Sequence, residues 1–407
     1  MSNPERYVCA FRGRRDGYQV PRALAEDGRL EVFLTDIYAS PRIRRLAEWL
    51  PAPWNEKLAR RHDSHIPLGR VECLWGTTLR EWGRHGLGCA PARTYAELDV
   101  QYAETAAQRA RQTGSHLLLY TPYAWEAFRA AYSHRPRRVL FQYHPHGRVE
   151  RRVLREDTDR FSEFEFDADR RMETGATLTD AQRRRVEEVW RHADLILCAS
   201  SFTRRTVVEA GAEAQECVVV PYGVDFPDPP QRALAAPNAF RGLFVGSGVQ
   251  RKGLHHLLYA WDRAHLPTDS RLTLVCRSID PSLEALADDT SGVVLRREVA
   301  FETLVDLYRS STLFAMPSLI EGFGQVYLEA MSQGCPVLGT SHTCLPDVGT
   351  EQDGVYSVPA ADVETLASTL EQLSSALPGN EGPRRAARER AETFTWSRFR
   401  TRIADII

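Results

Sequence analysis

The chain is predicted to be an α/β protein of two Rossmann-like domains whose parallel sheets face each other across a cleft. Three observations predict it. At 407 residues the chain exceeds the length over which one hydrophobic core usually keeps growing, so two domains are expected. Short apolar runs alternate with helix-patterned stretches twice along the chain, as parallel sheets covered on both faces require. Between the two arrays, Pro221, Gly223, Pro227, Pro229, Pro230 and Pro237 crowd into a segment that can continue neither a helix nor a central strand.

The first array opens with a strand from Arg6 to Phe11, a loop from Gly13 to Gly17, a helix from Val20 to Glu26 and a strand from Leu30 to Leu34. Apolar runs from Leu117 to Tyr120, Val139 to Tyr143 and Leu195 to Ala199 continue it. The stretch from Ser40 to Cys89 is rich in Arg, Trp and Pro and reads as helices and loops added to this domain. After the break, a strand from Gly242 to Val245 leads into a helix whose Leu254, Leu257, Leu258 and Trp261 share one face. Strands from Leu272 to Cys276, Leu313 to Met316 and Pro336 to Leu338 follow, with helices from near Gln325 and from about Asp362 to Leu377. The expected divisions are 1–220 for the first domain, 221–237 for the linker, 238–390 for the second domain, and 391–407 for a C-terminal helix returning to the first. Open sheets bind ligands beyond the carboxyl ends of their strands, so the cleft is the expected active site.

Composition narrows the function. Hydrophobic residues at 43% and charged residues at 26% suit a globular protein, and no apolar run approaches the length of a membrane span. The first residues carry no apolar leader core, so a cytoplasmic chain is expected. A net charge of −2 without a basic stripe argues against a nucleic-acid partner. The eight cysteines form no CxxC pair, so neither zinc nor a disulfide framework is expected, and no metal is. Residues 40–62 mix Arg, Trp and Lys57; a solvated insertion is the expectation there, with peripheral contact at the inner membrane face as the alternative. The charged stretch from Arg148 to Arg191 reads as a solvated helical face. Oligomeric state has no signature in the sequence.

Two loops carry the chemistry. Gly246-Ser247-Gly248-Val249-Gln250-Arg251-Lys252-Gly253 lies between a strand's carboxyl end and a helix's amino end, where backbone N–H groups and the helix dipole favour an anion. Arg251 and Lys252 add two full cations, and Lys252 is one of only two lysines among 52 basic residues. A diphosphate suits that position and those charges; a dinucleotide fingerprint would need glycine at Arg251, and a P-loop needs Ser or Thr after Gly-Lys, so both rival phosphate motifs fail here. Taken alone, the same loop also reads as a solvated turn with incidental basic residues. The second loop, Glu321-Gly322-Phe323-Gly324, sits between a strand end and the helix that carries Glu329. Either carboxylate can accept from a vicinal diol, one on a sugar and the other on a nucleotide ribose. At the end of the Val139–Tyr143 strand, His144 and, in reserve, His146 face the expected cleft, with packed or solvent-exposed imidazoles as the alternative; Gly17 either lets the backbone approach a ligand in the first turn or is a plain turn glycine.

Glu321-Gly322-Phe323-Gly324, Glu329-Ala330-Met331, Gly334 and Pro336-Val337 together resemble the E-x7-E signature of the retaining family 4 glycosyltransferases of the GT-B fold. Arg251-Lys252-Gly253 resembles that family's diphosphate loop, in the form found in lipopolysaccharide core glucosyltransferases. The likeness runs from about Val219 to Leu377 and includes the turn Val220-Pro221-Tyr222-Gly223-Val224-Asp225, where Tyr222 stands for the commoner asparagine and is expected to affect linker packing only. Many members carry Gly-Arg where this chain has Gly246-Ser247, so Arg251 is expected to supply that cation. The resemblance implies a hexosyl transfer from a nucleoside-diphosphate sugar to the hydroxyl of a small-molecule, glycan or lipid-linked acceptor, with retention and without metal or bound cofactor. It implies catalytic roles for His144, Arg251, Lys252 and Glu321, and donor contacts from Gly17, Gly246, Gly248, Arg251, Lys252, Glu321, Gly322, Phe323, Gly324 and Glu329. The alternatives are a sugar-nucleotide epimerase or phosphorylase on the same architecture, and a non-catalytic nucleotide-sugar-binding protein.

Overall fold

The structure is a computed structural model and describes residues 5–40, 43–45, 49, 54–76, 91–164, 166, 179–225 and 238–407. Most of the proline-rich linker segment and parts of the 40–89 insertion lie outside the described residues.

Two wholly parallel sheets organise the chain, as the alternating pattern predicts. The first holds β1 (Tyr7–Ala10), β2 (Leu30–Thr35), β3 (Val71–Cys73), β4 (His116–Tyr120), β5 (Arg138–Gln142), β6 (Leu195–Cys198) and β7 (Cys217–Val219), in the order β3-β2-β1-β4-β5-β6-β7. The second holds β8 (Arg241–Val245), β9 (Arg271–Val275), β10 (Val293–Arg296), β11 (Leu313–Ala315), β12 (Val337–Thr340) and β13 (Val355–Val358), in the order β10-β9-β8-β11-β12-β13. In both sheets the order reverses once, between β1 and β4 and between β8 and β11. That reversal opens a crevice where connections leave to opposite faces of the sheet. The loop after β1 and the loops after β8 and β11 therefore emerge at two such crevices.

The central strands are continuous apolar runs because helices cover them on both faces; β1, β6 and β12 are buried throughout. Strands β3, β7, β10 and β13 are the ones whose pattern the sequence reading did not assign to strands. They lie at or next to sheet edges, where burial is partial, as in β10 with alternating half-buried and exposed residues. The 23-residue helix Pro91–Thr113 also went unassigned, and it lies across the first sheet.

The last stretch of the chain returns to the first half beside Val224. Val224 pairs with Thr395, and the Val224 N–H donates to the Phe394 carbonyl (2.9 Å). Gly223 is required there because an added Cβ would lie 2.3 Å from the Trp396 backbone nitrogen. The final helix, Trp396–Ile406, then packs on the helix Gln19–Glu26 of the first half, and Arg29 donates to the carbonyls of Ala404 and Ile407 (both 2.6 Å). Tyr222 does more than pack the linker. Its hydroxyl donates to Asp16 Oδ2 (3.1 Å), while its ring meets Phe141, Phe323 and Phe399 from three other elements. Buried residues of both halves, Tyr222 among them, form one continuous cluster.

A second seam joins the halves beside the cleft. Val149 and Leu154 of the helix Gly147–Arg160, with Phe202, pack on Leu319 and Ile320. Asp347 accepts from Ser201 N (2.7 Å) at the start of the helix Ser201–Glu209, a favourable place for a carboxylate. Among the described residues, no helix is long and apolar enough to cross a membrane. The seven described cysteines are free thiols.

Candidate active site

The two loops singled out by their composition lie against each other. Leu319 N donates to the Arg251 carbonyl (2.9 Å), which fastens the loop after β11 to the loop after β8. Gly253 explains the Lys-Gly order: it adopts φ +66°, and an added Cβ would lie 2.0 Å from the Pro317 carbonyl oxygen. Only glycine permits both that conformation and that approach. The rest of the 317–324 turn is braced from the strands beside it: Thr340 Oγ1 donates to Ser318 O (2.6 Å), Glu321 N to His342 O (3.0 Å), and the Tyr327 hydroxyl to Met316 O. Gly324, at φ +84°, begins the helix Gln325–Ser332.

These constraints bring Arg251, Lys252 and Glu321 together. Lys252 Nζ pairs with Glu321 Oε2, and Arg251 Nη1 lies 3.4 Å from the same oxygen. All three side chains are largely buried, so their charges act in a medium that screens them less than water does. Two cations share one carboxylate at the β8–β11 crevice. Gly246 and Gly248 give their amides to the Val275 and Ser278 carbonyls (3.0 and 2.8 Å), so these two residues shape the turn that presents the cations. At Gly248 an added Cβ would meet Ile279 Cγ1 at 2.4 Å. Phe323 is buried against Tyr222. Glu329 lies on the helix that Gly324 begins and faces Tyr308, whose hydroxyl donates to it (3.3 Å); burial pushes its carboxyl up against the pull of that bond.

His144 closes the cleft from the first half. Its Cα would lie 3.2 Å from a Cβ on Gly322, and the Tyr143 carbonyl only 2.0 Å away, so the two halves touch backbone to backbone beside Glu321. Ser200 and Thr203 hydroxyls donate to the Gly322 carbonyl across the same junction (2.6 and 3.1 Å). His146, the reserve imidazole, caps the helix Gly147–Arg160: Nδ1 accepts from Arg148 N (3.3 Å) and Nε2 lies 2.8 Å from Glu187 O. Gly17 sits in a turn where Asp16, Gly17 and Tyr18 are all left-handed, and it reaches the second half through Asp16, Tyr222 and Phe323.

Several groups beside the cleft were not legible in the sequence. Asp16 accepts from Tyr120 (2.6 Å) and Tyr222, and burial pushes its carboxyl up against the pull of Arg15. The Arg15 guanidinium lies over the Tyr143 ring at 4.0 Å. Asp99 is pushed up to about 7 by burial, opposed by Arg12, Arg185 and Arg15. The stretch expected to be a solvated face carries two buried acids, Glu150 and Asp157, because it packs on the second half. A left-handed turn or an acid among arginines has no periodic signal that would reveal such partners.

Asp157, His255 and His256 form the one group among the described residues whose ligand atoms could gather round a metal ion, all within 4.8 Å of one another. Their arrangement is that of hydrogen bonds. His256 Nε2 lies 2.6 Å from Asp157 Oδ1 and His255 Nε2 3.0 Å from Oδ2. Burial pushes His255 down to about 4; burial also opposes the Asp157 charge, but the bonds from His255 and His256 outweigh it and hold that carboxyl well below the usual range. An unfolded histidine takes up a proton near pH 6.5, whereas folded His255 does so only near 4. The stability this group contributes is therefore full above pH 6.5 and is lost as pH falls towards 4; the Asp157 contribution goes at still lower pH. Urea unfolding at pH 7, 6 and 5 should show stability falling with acid, by up to about 1.4 kcal/mol per pH unit from this group. His255→Gln should flatten that slope, and equal slopes for the two proteins would refute the assignment.

Among solved structures, sucrose-phosphate synthase from Thermosynechococcus elongatus is similar over 98% of both chains, with TM-score 0.66 and 18% identity. Anabaena Alr3699/HepE, solved in complex with UDP and glucose, is similar over 99% of both chains, with TM-score 0.59 and 15% identity. These likenesses define the fold as GT-B. Within it, residues 239–376 match the family model for group 1 glycosyl transferases. The chain is 28% identical over 213 residues to the MMP alpha-(1->4)-mannosyltransferase of Mycolicibacterium hassiacum, covering 50% of this chain and 51% of that one. It is 38% identical over 119 residues to a D-inositol 3-phosphate glycosyltransferase of a Mycobacterium species, covering 28% and 26%. The matched regions thus span about half of the first relative's length and about a quarter of the second's.

Proposed function

We propose that the chain is a retaining, family 4 glycosyltransferase that moves a hexose from a nucleoside diphosphate to an acceptor hydroxyl, without a metal ion or bound cofactor. The observation that carries this reading is the convergence of Arg251 and Lys252 on Glu321 at the β8–β11 crevice. A diphosphate entering there would take over the two cations and release Glu321 to accept from sugar hydroxyls. The bond from the anomeric carbon to the diphosphate oxygen breaks as the bond to the acceptor oxygen forms on the same face. The acceptor proton leaves with the diphosphate. Arg251 and Lys252 oppose the charge that grows on the leaving oxygen, the role a metal ion fills elsewhere. Glu329 accepts from the ribose diol, and His144 borders the sugar from the opposite half. The names of the relatives, a mannosyltransferase and an inositol-phosphate glycosyltransferase, favour a polar acceptor, either a small molecule, a glycan or a lipid-linked saccharide.

Thermal-shift measurements with UDP, GDP, ADP, CDP and dTDP test the donor half of this reading. The matching nucleotide at a hundred times its dissociation constant should stabilise the chain by about 2.7 kcal/mol. The corresponding sugar nucleotide should then release nucleoside diphosphate when an acceptor is supplied, and the product anomer, read by NMR, should match the donor's. Absence of stabilisation by every nucleotide, or an inverted product, would remove the proposal.

A further inference from the structure

The clamp at Asp157 lies outside the crevice but is tied to its loop. Asp157 belongs to the helix Gly147–Arg160 of the first half, and its side chain is 1% exposed. Among the described residues its side-chain donors are three, all from the second half: His255, His256 and Gln250, whose Nε2 lies 2.8 Å from Oδ2. The same Gln250 Nε2, which carries two hydrogens, also lies 2.8 Å from Leu154 O and 2.9 Å from Thr158 Oγ1 of that helix. Gln250 opens the short turn Gln250–Lys252, and His255 and His256 open the helix Leu254–Arg263. Arg251 and Lys252 are thus flanked on both sides by residues bonded to one carboxylate of the opposite half.

A buried carboxylate is tolerable only while its donors are in place; with one removed, it keeps the cost of desolvation and loses the compensation. The charge therefore penalises any arrangement in which Gln250 or the helix start moves away. A metal ion is the weaker reading of the same cluster. A metal-bound imidazole normally donates its other N–H to an acceptor, whereas Nδ1 of both His255 and His256 is buried with no hydrogen-bond partner among the described residues. Phe161, Phe164 and Phe166 surround His255 instead.

The geometry points to Asp157 as a positioning residue, which couples closure of the two halves to the placement of Arg251 and Lys252 through Gln250 and the two histidines. Its service to transfer rests on the function proposed above; the clamp itself does not. Hydrogen exchange on the whole chain reads the clamp directly, through the amides of Lys252, Gly253 and Leu319, which are bonded to Val249 O, Gln250 O and Arg251 O. Asp157→Asn keeps the side chain's shape but removes its charge and one acceptor. Exchange at those three amides should quicken by about tenfold to a hundredfold, the range expected when bonds to a charged group are lost. Exchange in β12 should stay unchanged. In transfer assays kcat should fall more than the donor KM rises, because the cations still bind but are misplaced. Gln250→Met, which keeps Asp157 and removes one donor, should give the same loop signature if Asp157→Asn folds poorly. Unaltered exchange at the three amides in both variants would overturn the inference. So would one equivalent of a divalent metal measured in the purified chain and lost in Asp157→Asn. Altered exchange in a chain that transfers no sugar would instead retain the clamp and reject the proposed function.

Discussion

Replacing Lys252 with alanine should lower kcat for sugar transfer by roughly 10²–10³-fold while the chain remains folded. The argument starts from where charge develops. In the bound donor the diphosphate carries its charge already, but the oxygen bonded to the anomeric carbon gains a further share as that bond breaks. A cation fixed beside it stabilises the transition state more than the ground state, so kcat falls more than KM rises. Lys252 is held in place by its loop, because Gly253 locks the next residue against Pro317. The loop should survive the substitution because its fastening is backbone to backbone, through Arg251 O and Leu319 N, and Arg251 remains near Glu321 at 3.4 Å. A loss of about 1–2 kcal/mol in stability is expected from the partner taken from Glu321. Lys252→Met, which restores the aliphatic stem, should recover stability without recovering turnover. Turnover of Lys252→Ala within about threefold of the parent would remove this loop from the reaction.

How far the sequence could be read follows from how far apart the interacting residues lie along it. The cation–carboxylate site was legible because each half of it is contiguous: Gly246 to Gly253 and Pro317 to Gly324 each follow one strand, and each ends on a glycine with left-handed backbone, Gly253 and Gly324. The parallel sheets were legible for a similar reason, since β1, β4, β5, β8 and β11 are buried on both faces and show as uninterrupted apolar runs. Edge strands such as β10 are half wet and lose that signal. The buried polar groups were not legible at all. Asp16 meets Tyr222 across 206 positions and Asp157 meets Gln250 across 93, so neither pairing has a local pattern. Asp157 was the clearest case, because an acid among arginines on an amphipathic helix is ordinarily solvated. Burial here is decided by the other half of the molecule, which periodicity within one helix does not report. Tyr222 was underestimated in the same way, as a linker residue whose hydroxyl turned out to reach the first βα turn.

Gly322→Ala should cost transfer about 10²-fold or more through one added methyl group. Gly322 has no left-handed backbone to protect; its constraint is approach. The added Cβ would stand 2.0 Å from the Tyr143 carbonyl oxygen and 3.1 Å from the Tyr143 carbonyl carbon, both backbone atoms of β5's outgoing loop. Neither can turn aside as a side-chain tip could. The junction is also where Ser200 and Thr203 bond to the Gly322 carbonyl, so relief must come from moving one half of the molecule away from the other. That motion draws His144 and the acceptor side back from Glu321 while leaving Arg251 and Lys252 on their own sheet. Donor and acceptor would then bind to separate halves at the wrong distance, and a displacement on the order of 1 Å is enough for a loss of that size. Nucleoside-diphosphate affinity should stay within about threefold of the parent, because the cations and the turn that presents them belong to the second half alone. Gly69→Ala, where an added Cβ meets nothing within 4 Å, is the control and should be silent. If Gly322→Ala transferred sugar at the parental rate, the contact between Tyr143 and Gly322 would not belong to the reacting conformation, and closure at this junction would have no part in the reaction.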